Sequence, residues 1–142
     1  MEISEVRQRL KQTIDRSRRA AAERRTRTDA AATAYERFLE RIAVPVFKQF
    51  AAALRAEGHL FQVFTPGGGL RLASERSSED FIELRLDLSG HEPAVLGGVS
   101  HVRGSRVRSH EATLLPERDI ADITEEDVLR FLLQEIQPFV ER

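Results

Sequence analysis

The apolar positions of this chain change period as it runs. Ile3, Val6 and Leu10 stand at the alternating three- and four-residue spacing of a helical seam, continued by Thr13 and more weakly by Ser17 and Ala20. Residues 2–25 hold neither Gly nor Pro, so a helix is predicted there. At Arg24 and Arg27 the seam positions become charged, and Thr26-Arg27-Thr28-Asp29 reads as a break or a fresh N-cap. A second helix is predicted over residues 30–57, with Ala31, Tyr35, Phe38, Leu39 and Ile42 on one face, followed by Val46, Phe47, Phe50, Ala51 and Leu54. Pro45 has no N–H to donate, so it either kinks one long helix or opens a new one. Gly58 is a natural left-handed stop.

Beyond Gly58 the period becomes two. His59–Phe64 and Leu70–Ala73 read as strands around the loose turn Thr65-Pro66-Gly67-Gly68-Gly69. A phosphate loop would need a Lys-Ser/Thr ending and a following helix, whereas Leu70-Arg71-Leu72 continues as strand. Ile82, Leu84, Leu86 and Leu88 alternate with Glu83, Arg85 and Asp87, as in a half-buried antiparallel strand. The chain turns over Ser89–Pro93. Residues 94–103 and 106–115 then form a hairpin closed by Gly104-Ser105, a pair suited to a two-residue turn with glycine first.

The last helix is announced by Thr124 as N-cap, Asp127 three residues on as its capping-box partner, and Ile123 with Val128 as a hydrophobic staple. Leu129, Leu132, Leu133, Ile136 and Val140 line its buried side, and Pro138 limits its last turn. The expected architecture is α+β, a two-layer sandwich. Its parts are N-terminal helices (one long or kinked at Pro45), an antiparallel meander sheet of about five strands, and a C-terminal helix. Residues 1–142 are expected to form a single domain, with a basic helical N-terminal extension over 1–28 and an α-βββββ-α body over 29–142.

Composition removes several chemistries. With no cysteine, disulfides, thiolate nucleophiles and Cys-ligated zinc or iron–sulfur sites are excluded. No apolar run approaches the roughly 18 residues of a membrane span, so a cytoplasmic location without membrane contact is the expectation. The net charge of −1 conceals an asymmetry. Residues 1–27 carry nine Lys/Arg against four acids, a net of +5, and residues 117–142 carry eight acids against three Arg, a net of −5.

If Gly104-Ser105 is the turn, Arg103 faces Arg106, Val102 faces Val107, His101 faces Arg108 and Val99 faces His110. His101, Arg103, Arg106, Arg108 and His110 then share one face of the hairpin. Leu96, Gly98, Ser100, Val102, Val107 and Ser109 share the other, which is expected to continue Ile82/Leu84/Leu86/Leu88 beneath the helices. The basic face would then point to solvent, where Glu79, Glu83 and Asp87 of the preceding segment are the expected neutralising partners. His101 and His110 lack a third metal ligand and stand beside Arg108, so no metal site is read here. Ser100 points away from His101, which removes a serine nucleophile with that base. The small residues Gly98, Ser100 and Ser109 leave room on the covered face. Phe131, Phe139 or Phe50 is expected to fill it, the alternative being a small-ligand pocket between sheet and C-terminal helix.

These features imply a non-enzymatic protein-interaction or adaptor module without cofactor, self-associating as a homo-oligomer through Ile3, Val6 and Leu10 or engaging another protein. The first alternative is nucleic-acid or polyanion binding through the basic N-terminal helix and the Arg103/Arg106/Arg108 face. The second is the small-ligand pocket.

Overall fold

One helix, α1, runs unbroken from Ile3 to Phe38 in the computed structural model, which describes residues 1–90 and 92–141. The break expected at Thr26–Asp29 is absent for a local reason. Thr26 and Thr33 turn their hydroxyls back into the helix and donate to the carbonyls of Ala22 and Asp29, each at 3.1 Å. A threonine bonded to the preceding turn continues a helix instead of capping a new one.

At Leu39–Ala43 the helix widens into one π turn, and α2 follows over Val44–Ala56 with Pro45 in its first turn. Proline cannot donate to the carbonyl four residues back and its ring would press on it. A wider turn at that point relieves both problems, as π turns within helices commonly do. The helix stops before Gly58, which adopts φ +89° and donates its N–H to the Arg55 carbonyl at 3.0 Å.

Five strands follow: β1 Phe61–Phe64, β2 Leu70–Ser74, β3 Phe81–Asp87, β4 Ala94–Arg103 and β5 Arg106–Thr113. They pair antiparallel in sequence order, as a meander. The triple-glycine segment folds as a short 3₁₀ turn over Pro66–Gly68 between two strands, a connection and not a phosphate cradle. The turn expected at Ser89–Pro93 includes His91, which lies outside the described residues. At the β4–β5 turn Gly104 takes φ +66°, and the cross-strand partners are the expected ones, including Arg103↔Arg106, His101↔Arg108 and Val99↔His110.

The C-terminal helix α3 spans Glu125–Glu135, with a one-turn α4 over Gln137–Val140. Its start is the expected capping box. The Asp127 N–H donates to Thr124 Oγ1 at 3.2 Å, and the Thr124 N–H donates to Asp127 Oδ2 at 2.9 Å.

The helices cover one face of the sheet. Tyr35 and Phe38 of α1, Phe47, Phe50 and Leu54 of α2, and Val128, Leu132, Ile136 and Phe139 of the C-terminal helices bury against Leu70, Leu72, Ile82, Leu84, Val95 and Val99. Phe61 of β1 meets Phe139 edge-on, with ring centres 5.8 Å apart.

The two faces of the β4–β5 hairpin are the reverse of the expectation. In the β3–β4 ladder Ile82 pairs with Val99, Leu84 with Gly97 and Leu86 with Val95. The odd-numbered residues of β4 therefore lie on the helix side. His101, Arg103, Arg106, Arg108 and His110 share that side, and Gly98, Ser100, Val102, Val107 and Ser109 lie on the uncovered face. A one-residue change of register moves every side chain of a strand to the other face. The space above a glycine is filled by Phe131, but the glycine is Gly97: a Cβ there would sit 2.7 Å from the Phe131 ring. Gly98 instead lies between Glu83 and Glu111 on the open face.

Candidate interaction surfaces

Three regions carry the residues singled out in the sequence, and the fold treats them differently. The first is the amino-terminal half of α1. Every residue from 1 to 19 is exposed, including Ile3 (77%), Val6 (48%), Leu10 (57%) and Ile14 (40%). At ~1.5 Å per residue this arm reaches roughly 26 Å from the body. Nothing in the body explains the apolar stripe. Positions spaced by seven from Ile3 lead through Leu10, Ser17, Arg24 and Ala31 to buried Phe38. A straight helix drifts by ~20° per heptad, so over that length Ile3 faces about 100° away from Phe38. The stripe is thus turned from the direction in which the body lies.

Ile14 was missed by a strict seam pattern, because it falls four residues after Leu10 and displaces Thr13. Its signal is the plain 3-4-4 spacing of Ile3, Val6, Leu10 and Ile14. Charge divides the arm in two. Around the stripe, Glu2, Glu5 and Asp15 balance Arg7, Arg9 and Lys11. Residues 16–27 carry six arginines against Glu23, a net of +5. The arm is a neutral apolar tip on a basic stalk. One ion pair, Arg9 to Glu5 at 2.8 Å, links successive turns and adds about 0.3–0.5 kcal/mol to the helix.

The second region is the helix-side face of the β4–β5 hairpin. Residues 103–111 are exposed throughout, because the hairpin extends past the helices that cover the rest of the sheet. His101 lies where the cover ends, with its ring edge-on to Phe139 and centroids 5.9 Å apart. His110 Nε2 is 3.0 Å from Glu135 Oε2 of α3. Arg103 and Arg106 stand directly opposite each other, and Arg108 opposite His101. These three arginines form no ion pair with any described residue.

Of the acids expected to neutralise them, Glu83 and Asp87 are occupied elsewhere. Glu83 Oε2 accepts from Arg71 Nε at 3.1 Å and Nη2 at 2.7 Å, on the opposite face of the sheet. The same Arg71 guanidinium lies 3.8 Å over the Phe81 ring. Arg85 donates to Glu111 at 2.8 Å. Asp87 accepts from its neighbour Ser89, whose hydroxyl and N–H hold its carboxyl below the usual range. Glu79 contributes a backbone carbonyl, which accepts from the Ser100 hydroxyl at 2.7 Å. Both sheet faces carry arginine, but among the described residues the sheet arginines paired with acids, Arg71 and Arg85, are those of the open face.

The third region lies beneath the sheet. Burial and then the Glu83 carboxylate push the Tyr35 phenol up to about 12. Its hydroxyl reaches the Leu84 carbonyl at 3.4 Å, which is a structural role. Phe131 occupies the place the ligand-pocket reading needs. Among the described residues no three His, Asp or Glu side chains gather as metal ligands, and no helix is long and apolar enough to cross a membrane. Fold and surfaces define an α+β chain with a five-stranded meander and a projecting amphipathic helix. No family model, no curated protein and no solved structure matches it.

Proposed function

We propose that this protein is a non-enzymatic interaction module that self-associates through the tip of α1. The observation that carries the reading is the exposure of Ile3, Val6, Leu10 and Ile14 along the part of α1 in which every residue up to Arg19 is exposed. Most helical stability in proteins comes from packing an apolar face. Full burial of each such side chain is worth about 1.5–3 kcal/mol. Association costs about 4–15 kcal/mol in lost freedom, so the gain and the cost are of the same order and a weak dimer is expected.

Light scattering across the micromolar range tests this. The native chain is expected to move from monomer to dimer mass as concentration rises. The double variant Val6→Glu, Leu10→Glu is expected to stay monomeric with an unchanged melting transition of the body. A native chain that stays monomeric throughout overturns the reading.

A second reading is supported by one specific observation, Arg103 directly opposite Arg106 with Arg108 on the same face, none of them ion-paired with a described residue. Like charges directly across a ladder destabilise it, and an anionic partner would remove that cost through bidentate contacts. The basic stalk does not extend this patch. Arg27, Ala30 and Ala34 share a cleft with Glu92, Pro93 and Ile120 near the start of β4, whereas the arginines sit at its far end. Fluorescence anisotropy with a single-stranded oligonucleotide at low salt is expected to show binding that Arg103→Gln, Arg106→Gln and Arg108→Gln together abolish. Equal binding by that variant and the native chain would remove the hairpin from this role.

A further inference from the structure

We infer that two copies of the chain pair through their α1 tips in antiparallel orientation, with the bodies at opposite ends of the assembly. This rests on the self-association proposed above and goes on to fix its geometry. The first argument is the stripe itself. Ile3, Val6, Leu10 and Ile14 read nearly the same in either direction, so an antiparallel pair centred near Gln8 sets Val6 against Leu10 and Ile3 against Ile14 of the second copy. Every apolar side chain of the stripe meets another.

The second argument is charge. In that register Glu2, which precedes the first turn, comes beside Arg16 of the second copy at the start of its basic stalk, twice in the symmetric pair. At the same offset Arg9 meets Arg9 of the second copy, a like-charge contact balanced by the Glu5 carboxylate that each Arg9 already holds at 2.8 Å. Flanking charges of opposite sign are what set partner and orientation in paired helices. A parallel pair would do the reverse. It would lay the two stalks of residues 16–27 side by side, each at a net of +5, with Arg24 and Arg27 on the continuation of the seam. The antiparallel pair separates those stalks to opposite ends and confines contact to the neutral tips. It also explains why the apolar spacing stops after Ile14 while the helix runs on to Phe38. Contact is needed only over the length that overlaps.

The absence of native cysteine makes the orientation directly readable. Full-length Glu2→Cys and Arg16→Cys variants are prepared separately, then oxidised singly and as an equimolar mixture. A disulfide forms only where the two Cβ atoms can approach to about 4 Å. The antiparallel pair predicts that the mixture forms a mixed disulfide, well above what either variant forms with itself. Self-linked dimers of each variant alone, with little mixed product, would establish a parallel pair and overturn the orientation while leaving self-association standing. A native chain monomeric by light scattering would overturn both. A dimer that forms no disulfide in any of the three samples places contact outside the tips and also contradicts the inference. Salt gives a readout independent of the new cysteines. The antiparallel pair loses its Glu2–Arg16 attraction and is weakened by high salt, whereas a parallel pair is strengthened as stalk repulsion is screened.

Discussion

Leu10 and Phe38 lie on one continuous helix, yet Phe38 is 3% exposed and Leu10 57%. The body half of α1 is held by tertiary packing, where Tyr35 and Phe38 join a core shared with the sheet and α2. The arm half is held by local bonds: the backbone ladder, the Thr13 hydroxyl and the Arg16 guanidinium donating to carbonyls one turn back, and the Arg9–Glu5 ion pair between successive turns. Regular structure is the same in both halves, and its cause is not. A helix rooted in a packed body has already met the cost of nucleation, so it can be extended one residue at a time. The extension then offers its free face to whatever partner shares its pattern.

Truncation separates the two halves most strongly in the core. Phe47→Ala, at a side chain with no exposed surface, is expected to destabilise the body by about 3–5 kcal/mol in denaturant unfolding. Leu10→Ala measured in dilute protein is expected to change the same transition by less than about 0.5 kcal/mol. An equally large loss at Leu10 would mean that the arm packs on its own body.

A second contrast lies between adjacent glycines of β4, which tests the face assignment of the hairpin. Gly97→Ala drives a Cβ to 2.7 Å from Phe131 and is expected to cost about 1–3 kcal/mol by overpacking. Gly98→Ala meets the flexible Glu83 side chain at 3.3 Å and is expected to be tolerated. The reverse order of melting temperatures would return Gly98 to the covered face.

A smaller effect is expected at the start of α3. The Thr124 N–H, then its hydroxyl, then Arg118 and Arg130 hold the Asp127 carboxyl below its ordinary value despite opposing burial. Asp127→Asn should cost about 1 kcal/mol at neutral pH. Because the folded carboxyl ionises at lower pH than the unfolded one, that contribution is complete above the unfolded value of about 4 and disappears as pH falls through the lower folded value. Unfolding curves of the two proteins should therefore converge in acid; a gap that widens there would contradict this cap.

Much of the fold was legible because its signals are local. The Ile82/Leu84/Leu86 alternation, the left-handed glycines at 58 and 104 and the Thr124–Asp127 box each fix their element within a few residues. The unbroken helix through Thr26 was not legible, since Thr serves a cap and a helix interior with the same hydroxyl. The hairpin's own register was also readable, down to Arg103 opposite Arg106. Its orientation was not, because the β3–β4 connection sets which parity of β4 faces the helices. Val95 and Val99, both β-branched and both odd-numbered, were the available signal for the covered face. Placing three arginines and two histidines on that side looked wrong for a core, and it is tolerated only because the hairpin outruns the helices above it.

Amide hydrogen exchange followed against protein concentration tests the central claim most directly. If a second copy supports the tip of α1, protection of residues 3–15 rises with concentration across the dimer transition, while protection of α2 over Val44–Ala56 stays constant. Protection of the tip that is the same at every concentration would contradict it.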